Sequence, residues 1–176
     1  DIKKKIYTPK LRNSIFGHVY DHWRRLNPDA RPALGFAPGV AEAKWFVDQF
    51  AERGVRCASI DGADCYIDGE EHRSSQSLRQ EIVEEARQGR IAILWNRFVL
   101  REGIDFPWLH HLILATPIGS LTSYVQVVGR GLRYSEQTPH WVLITDHGGS
   151  WWRHGSPNQD WDWERWYCTN PSLPTR

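Results

Sequence analysis

Short apolar runs alternate with segments of helical periodicity along most of the chain. Continuous apolar runs of this length are typical of strands buried on both faces of a sheet. Five strands are predicted on this basis, at residues 33–36, 57–60, 91–94, 112–115 and 141–145. The intervening segments predict helices that bury one face against the sheet.

Three predicted helices follow strands in the central part of the chain. The first carries Val40, Ala43, Val47 and Phe50 and ends near Gly54, since glycine favours the left-handed conformation that closes many helices. The second carries Leu78, Ile82 and Ala86, with Ser77 and Gln80 as a capping box and Gly89 at its end. The third runs through Gln126 and Arg130 to Arg133, whereas the polar residues 63–75 predict a loop.

This alternation predicts an α/β fold, in which a mostly parallel sheet carries helices on both faces as three layers. In open sheets of this kind, ligands bind beyond the carboxyl ends of the strands. The turns expected at that edge are Pro38-Gly39, Asp61-Gly62, residues 96–98, residues 103–105 and Thr116-Pro117. The chemistry of the protein is therefore expected along one edge of the sheet.

The two ends of the chain differ from the centre. Residues 1–28 predict a basic lead-in or linker with a short amphipathic helix at residues 15–26, outside the core, and residues 29–150 form the predicted domain. Residues 151–176 are rich in tryptophan interleaved with acidic residues. We expect this tail to pack its rings on the domain or on a neighbouring one, and stacking on unpaired bases is the alternative.

Composition excludes several classes of protein. A hydrophobic share of 40% and a charged share of 24% are those of a soluble globular protein, and a net charge of +1 leaves any nucleic-acid binding to local patches. No apolar run approaches the roughly 20 residues that span a bilayer. Three cysteines without a C-x-x-C pair and scattered histidines predict reduced, cytoplasmic thiols and no metal site. The absence of methionine suggests a piece of a longer protein.

Arg130 and Arg133 are the clearest candidates for chemistry. Residues three apart on a helix share a face, so the two guanidinium groups could bind phosphate oxygens together. A surface salt-bridged face is the simpler explanation of such a pair taken alone. The surrounding sequence decides between phosphate binding and a salt-bridged surface.

Two motifs in this stretch resemble those of superfamily 2 helicases of the DEAD/DEAH-like type. The segment Q-V-V-G-R-G-L-R, from Gln126 to Arg133, resembles the sixth motif, and R-E-G-I-D-F-P, from Arg101 to Pro107, resembles the fifth. The resemblance covers roughly residues 30–147 and implies the C-terminal RecA-like domain of such an enzyme. The form G-R-G-L-R followed by D-H-G-G resembles the helicases of restriction and prophage enzymes more than the helicases dedicated to RNA.

The resemblance implies a role in ATP hydrolysis for several residues. ATP would lie between two RecA-like domains, with Arg133 as the arginine finger and Arg130 beside it on the phosphates. Gln126 would order the helix against the nucleotide or the catalytic water, although a buried helix amide is an equal alternative. Gly103 would allow close approach of the backbone, and Asp105 would accept from the ribose hydroxyl or cap its own loop.

Nucleic acid would bind along the same edge, away from ATP. The resemblance assigns backbone contacts to three loops, which contain Pro38 and Gly39, Asp61 and Gly62, and Asn96 and Arg97. Such groups grip phosphates without reading bases, so weak sequence preference is expected. DNA is the expected substrate, and RNA remains open.

The chain departs from a complete enzyme in one respect. It contains neither a G-x-x-x-x-G-K-[S/T] loop nor a D-E-x-[D/H] quartet, so an N-terminal RecA-like domain of the same parent chain would hold the phosphates and Mg²⁺. The fragment alone is expected to hydrolyse ATP negligibly. Two alternatives remain: a nucleic-acid-binding module without turnover, and a protein-interaction domain that uses the tryptophan-rich tail.

Overall fold

Twelve elements make up the computed structural model, which describes residues 9–97, 106–132, 141–160 and 162. The helices are α1 (Pro9–Leu26), α2 (Val40–Ala51), α3 (Gln76–Arg87), α4 (Leu121–Gly131) and α5 (Ser150–His154). The strands are β1 (Ala33–Phe36), β2 (Cys57–Ile60), β3 (Asp64–Ile67), β4 (Glu70–Arg73), β5 (Ile93–Asn96), β6 (His111–Leu114) and β7 (Leu143–Asp146). Within these ranges, no helix combines the length and apolarity needed to cross a bilayer.

The seven described strands form one sheet in the order β4-β3-β2-β5-β1-β6-β7. The five strands from β2 to β7 in this order are parallel, and β3 and β4 add an antiparallel edge. The predicted α/β architecture with a mostly parallel sheet is confirmed. Each parallel strand is four residues long. The residue that follows each strand is therefore close to the edge of the sheet.

Alternate residues of the central strands separate two hydrophobic clusters. One face carries Ala33, Cys57, Ile93 and Trp95 and packs against α1 and α2. The other face carries Leu34, Ala58, Leu94 and Leu112 and packs against α3 and α4. This period of two along each strand is what burial on both faces requires, and it gives the three layers predicted.

Trp95 shapes the face covered by α1 and α2. Its ring is completely buried and stacks on Phe46 of α2, with ring centroids 4.4 Å apart. Gly35 of the neighbouring strand lies under this ring, and a Cβ there would collide with its six-membered part. Glycine at this position is therefore explained by packing rather than by backbone conformation.

The segment 63–75 is a β-hairpin, so its prediction as a loop is wrong. Asp68 and Gly69 occupy the turn with φ of 53° and 85°, the positive values that tight hairpins require. Tyr66 donates to the Asp48 carboxylate at 2.7 Å, and Arg56 binds Asp68 through two nitrogens at 2.9 and 2.7 Å. The hairpin is polar because it lies at the edge of the sheet, where most side chains face solvent.

Several predicted boundaries shift by one or two residues. Ser75, rather than Ser77, caps α3, and its Oγ accepts from Leu78 N at 3.1 Å. An N-cap residue precedes the first helical residue, whereas Ser77 lies inside the helix, which begins at Gln76. The glycines expected at helix ends are in place, since Gly54 and Gly89 both have φ of 73°.

The first helix contributes to the core, which differs from the expected lead-in. Phe16, Val19 and Trp23 are at most 4% exposed and belong to the cluster around Phe46 and Trp95. Their helical spacing identified the buried face, but nothing local identified α2 and the sheet as its partner. The division of the chain at residue 28 stays a prediction.

Candidate functional site

The parallel strands end at one level of the sheet. Pairing across the strands aligns Ile60, Asn96, Phe36, Leu114 and Asp146 as the last row. The residues that follow this row therefore leave the sheet side by side. We call them the rim: residues 37–39, 61–62, 97, 115–118 and 147–148.

Pro38 and Gly39 form the short loop between β1 and α2. The loop is fixed to the sheet because Ala37 N donates to Asn96 O at 2.9 Å. Gly39 is the N-cap of α2, and with no side chain it makes no side-chain capping bond. Both residues are half-exposed, so the first turn of α2 presents its positive dipole end at the rim.

Asp61 and Gly62 form the loop after β2. The Asp61 carboxylate is buried and accepts from Ala63 N at 2.7 Å and Asp64 N at 2.8 Å. The backbone carbonyls of Asp61 and Gly62 accept from one Arg79 nitrogen at 2.9 and 3.1 Å. The Asp61 side chain thus shapes its own turn, whereas Gly62 is exposed at the rim.

Arg79 is a site residue that the sequence analysis missed. It lies in α3, and its guanidinium crosses 17 to 18 residues of sequence to hold the carbonyls of the loop after β2. An arginine in the second turn of a helix gives no local signal of such a contact. Its position follows only from the packing of α3 beside β2.

Asn96 and Arg97 are neighbours with opposite environments. Asn96 is fully buried, and its side-chain nitrogen donates to Gly35 O at 3.0 Å across the sheet. Arg97 is exposed and forms no ion pair with a residue that the structure describes. Arg97 therefore presents a charged side chain to solvent at this loop.

The helix α4 rises from the rim after the loop that follows β6. Its N-cap, Ser120, accepts from Ser123 N at 3.2 Å. One side of the helix packs on the sheet through its buried residues, which are Leu121, Tyr124, Val127, Val128 and Gly131. At Gly131 a Cβ would already touch the side chains of Leu109, Leu112 and Val142 at 3.5 to 3.6 Å.

The outward side of α4 carries two of the predicted catalytic residues. Gln126 is exposed and Arg130 is half-exposed, and they lie one helical turn apart. The alternative that Gln126 is a buried helix amide is wrong, because the buried face passes through Tyr124 and Val128 instead.

Three predicted site residues lie outside the described part of the chain. They are Arg133, the expected arginine finger, and the pair Gly103 and Asp105 expected at the ribose. Their roles stay predictions. The described residues nearest to them in sequence, Leu132 and Phe106, are exposed and buried respectively.

Two histidines of α1 lie near His147, which directly follows β7. His18 and His22 lie four residues apart on α1, a helical spacing used by metal sites that the sequence analysis overlooked, and the His22 and His147 ring centroids are 5.2 Å apart. Burial, and then the proximity of His22 and His18, lower the pKa of His147 to about 4. Within the described residues, no three metal-binding side chains come together in an arrangement that could hold an ion.

Two cavities lie away from the rim. One, of about 350 Å³, is lined by residues such as Trp23, Val55 and Ala92, and another, of about 540 Å³, by residues such as Val47, Cys57 and Gly69. Both include residues that precede β2, at the amino ends of the strands. They are separate from the edge where the predicted site residues gather.

The family follows from comparison with known proteins. The sequence profile of the helicase conserved C-terminal domain matches residues 19–135. This chain belongs to the helicase C-terminal domain family. All the predicted site residues fall inside the match, and the resemblance to superfamily 2 helicases is confirmed.

A phage protein is similar in sequence to most of this chain. The 51.5 kDa protein of a Lactococcus phage (isolate 7-9) is 26% identical over 157 residues, which are 89% of this chain and 32% of the phage protein. The chain therefore spans about a third of the length of this relative.

Solved helicase structures share the fold of this helicase C-terminal domain. Saccharomyces cerevisiae Dbp5 bound to RNA and ADP-BeF₃ has a TM-score of 0.58 at 14% identity, covering 84% of this chain and 38% of that one. The DUF1998 helicase MrfA bound to DNA has a TM-score of 0.56 at 16% identity, covering 76% of this chain and 18% of that one. The predicted RecA-like architecture is confirmed.

The start of the tail lies beyond the helicase match. Trp151 and Trp152 are 45% and 84% exposed, so most of the Trp152 side chain is not covered by the described domain, and the expected packing of the tail stays a prediction. Their own rings meet edge to face, with centroids 4.8 Å apart. The other tail tryptophans, Trp161, Trp163 and Trp166, lie outside the described residues.

Proposed function

We propose that this chain is the second RecA-like domain of an ATP-dependent helicase or translocase. Its part is to close over ATP with Gln126, Arg130 and Arg133 and to grip the backbone of a nucleic acid along the rim. A first RecA-like domain, on the same parent chain, supplies the phosphate-binding loop and the carboxylates that hold Mg²⁺. The supporting family membership covers residues 19–135.

The outward face of α4 is the observation that carries this proposal. Gln126 and Arg130 lie one turn apart on it, with the opposite face buried against the sheet. Phosphoryl transfer depends on positioning and on neutralising charge as it spreads over the departing phosphate. A guanidinium on a rigid helix meets both demands, because its charge persists at every physiological pH.

The nucleotide half of the proposal includes residues outside the described part of the chain. Arg133 serves as the arginine finger, Gly103 allows the backbone to approach the nucleotide, and Asp105 accepts from the ribose hydroxyl. These assignments rest on the resemblance of the surrounding motifs to those of superfamily 2 helicases. In this proposal, Arg133, Gly103 and Asp105 contact the same nucleotide as Gln126 and Arg130.

The rim supplies the nucleic-acid half of the site. Pro38, Gly39 and Gly62 are accessible backbone positions, and Arg97 contributes a charged side chain. Asp61 and Asn96 support the loops rather than contact the nucleic acid with their side chains. The Asp61 carboxylate accepts from Ala63 N and Asp64 N, and the Asn96 side chain donates to Gly35 O. The interface grips phosphates and has little means of reading bases.

DNA is the proposed substrate, with RNA as the alternative. The phage relative supports the resemblance to prophage-type helicases. Helicases of the same fold bind either polymer, as MrfA with DNA and Dbp5 with RNA illustrate. We also propose a reducing, cytoplasmic setting, which agrees with the free thiols of the buried Cys57 and Cys65.

ATP hydrolysis by the enzyme that contains both RecA-like domains tests the mechanism. We expect Arg133→Ala to lower nucleic-acid-stimulated turnover about a thousandfold and Arg130→Ala about a hundredfold. Nucleotide binding, measured with a fluorescent ATP analogue, should be largely kept in both. Stimulation by duplex DNA and by RNA, compared in the same assay, identifies the substrate.

Arg87→Ala is the matched control, because Arg87 is an exposed arginine in the last turn of α3, away from the rim. Its turnover should equal that of the unmodified enzyme. Unchanged hydrolysis in both the Arg130 and Arg133 variants would reject the motor and leave a nucleic-acid-binding domain.

A further inference from the structure

Two side chains of the segment 150–155 hold the backbone of a single rim residue. Ser150 Oγ accepts from Ile118 N at 3.1 Å, and His154 Nε2 donates to Ile118 O at 2.7 Å. Ile118 is 1% exposed, so both of its backbone polar groups are satisfied away from solvent by these two contacts. We call residues 150–155 the clasp.

The clasp also holds α4 directly. The ring of Tyr124 stacks on the ring of His154, with centroids 5.3 Å apart and planes at 29°. The Tyr124 hydroxyl donates to Gly155 O at 3.3 Å. Burial, followed by the nearby negative charge of Asp146, raises the pKa of Tyr124, so the hydroxyl keeps its proton and remains a donor.

The clasp is anchored to the end of β7. The Asp146 carboxylate accepts from Gly148 N at 3.0 Å and from Trp151 N at 2.6 Å. Gly148 lies so close to the loop after β6 that a Cβ would collide with the backbone of Thr116 and Pro117. The rim loop 115–118 and the first half of α4 are thus held in place by contacts with the end of β7 and the clasp. These contacting residues lie outside residues 19–135 of the family match.

We propose that the clasp is a positioning device for catalysis, which sets the rotation and height of α4 so that Gln126 and Arg130 meet the nucleotide. This inference rests on the proposed function. Tyr124 lies two residues before Gln126, so a shift of its ring moves the catalytic face with it. Misplacement of a catalytic group by about 1 Å can cost about a hundredfold in rate, which is why a helix that carries such groups benefits from a second support.

Variants of His154 separate the two contacts that it makes. His154→Gln retains an N–H donor for Ile118 O and loses the ring, whereas His154→Phe retains the ring against Tyr124 and loses the donor. In the enzyme with both RecA-like domains, we expect each to lower kcat about tenfold with KM for ATP within about twofold. His72→Gln, at an exposed position on the opposite edge strand β4, should leave both constants unchanged.

A double variant distinguishes positioning from general stability. If the clasp acts through Arg130, His154→Phe should reduce kcat little further in an Arg130→Ala enzyme, because the positioned group is already gone. An equal fold-loss of kcat in the two backgrounds would overturn the clasp and leave the proposed function intact. An Arg130→Ala enzyme with normal turnover would also overturn the clasp, and only normal turnover in both Arg130→Ala and Arg133→Ala would overturn the proposed function.

Hydrogen exchange provides a readout that does not depend on activity. In the 176-residue chain, Tyr124→Phe and His154→Phe should speed exchange of amides in residues 118–131 while exchange in β1 and β2 stays as in His72→Gln. Tyr124→Phe removes one hydroxyl and retains the ring, so it tests the proposal even if the His154 variants do not fold. Unchanged exchange at residues 118–131 in the folded variants would overturn the positioning role.

Discussion

His111, which is buried, and His147, which is partly buried, bind protons poorly in the folded protein. Burial lowers the pKa of His111 to about 4, with a smaller contribution from His147, and His147 is lowered to about 4 by burial and by His22 and His18. His111 donates or accepts one hydrogen bond with Thr145 Oγ1 at 3.0 Å. Both rings are therefore neutral in the native state near pH 6.

This neutrality predicts a loss of stability in mild acid. An unfolded histidine has a pKa of about 6.5, so between about pH 6.5 and pH 4 the unfolded chain binds protons that the folded chain does not. The free energy of unfolding should fall as pH falls through this window, by up to about 1.4 kcal/mol per pH unit for each histidine. Urea unfolding of the chain at pH 7.5, 6.5, 5.5 and 4.5 measures it.

His111→Gln should remove a substantial part of this pH dependence, and the remainder comes from His147 and from His110, whose pKa is also lowered by burial and by the charge of Arg31. His72→Gln, at an exposed site on β4, serves as the control and should retain the dependence. A His111→Gln protein with the slope of the unmodified chain would contradict the assignment.

Asn96 and Arg97 show which properties of single residues could be predicted from the sequence. The sequence placed both at a strand end, and the structure agrees on the position of the loop. Only the three-dimensional packing shows that Asn96 is buried and bonded to Gly35 O while Arg97 faces solvent. A strand-end asparagine and a strand-end arginine carry no local signal that separates these two environments.

At the scale of elements, α1 makes the largest departure from expectation. Trp23 is 4% exposed and its ring meets Phe50 of α2 at 5.5 Å between centroids, nearly perpendicular. Such edge-to-face pairs add to the free energy gained by burying the rings. The helix therefore stabilises the domain and is more than a lead-in to it.

Trp23→Ala tests that conclusion. Removing a buried aromatic side chain should lower the free energy of unfolding by about 3–5 kcal/mol. Arg24→Ala, next to it on the exposed side of α1, should change stability by no more than about 0.5 kcal/mol. Urea denaturation of the three proteins compares them, and equal midpoints would place α1 outside the cooperative unit.

The hairpin β3–β4 and the clasp were missed for different reasons. The dipeptide Asp68-Gly69 is a recognised hairpin signal, so the hairpin was accessible from sequence despite its polar strands. The clasp depends on contacts that join Ile118 with Ser150 and His154, 32 and 36 residues away. Contacts at that separation leave no periodicity, and no motif marks them.

The central strands were predictable because each is continuously apolar and short. The one-residue and two-residue shifts of β5, β6 and β7 arise because strand ends extend into the polar residues Asn96, His111 and Asp146, which are held by pairing with neighbouring strands. Tertiary pairing, rather than hydrophobicity, sets those ends. These shifts do not change the position of the rim, because the last residues of all the parallel strands are aligned with one another.

At the scale of the whole molecule, the proposed site contains only some of the groups that ATP hydrolysis requires. The rim and α4 offer Arg130, Gln126 and Arg97, and the sequence contains no phosphate-binding loop with a lysine. A net charge of +1 gives little long-range attraction for a nucleic acid. Binding and turnover are therefore expected to depend on a second surface that completes the cleft.

The purified 176-residue chain should accordingly show no ATP hydrolysis above background, with or without duplex DNA, at saturating ATP and Mg²⁺. Arginines stabilise charge on a phosphate that other groups must first hold in line with water and metal, so half of the cleft cannot carry the reaction. Phosphate release measured for the chain and for the enzyme with both RecA-like domains checks this, and Arg130→Ala in the chain should change nothing. Robust turnover by the chain alone, lost in Arg130→Ala, would show a complete site within these residues and reject the division of labour between two domains.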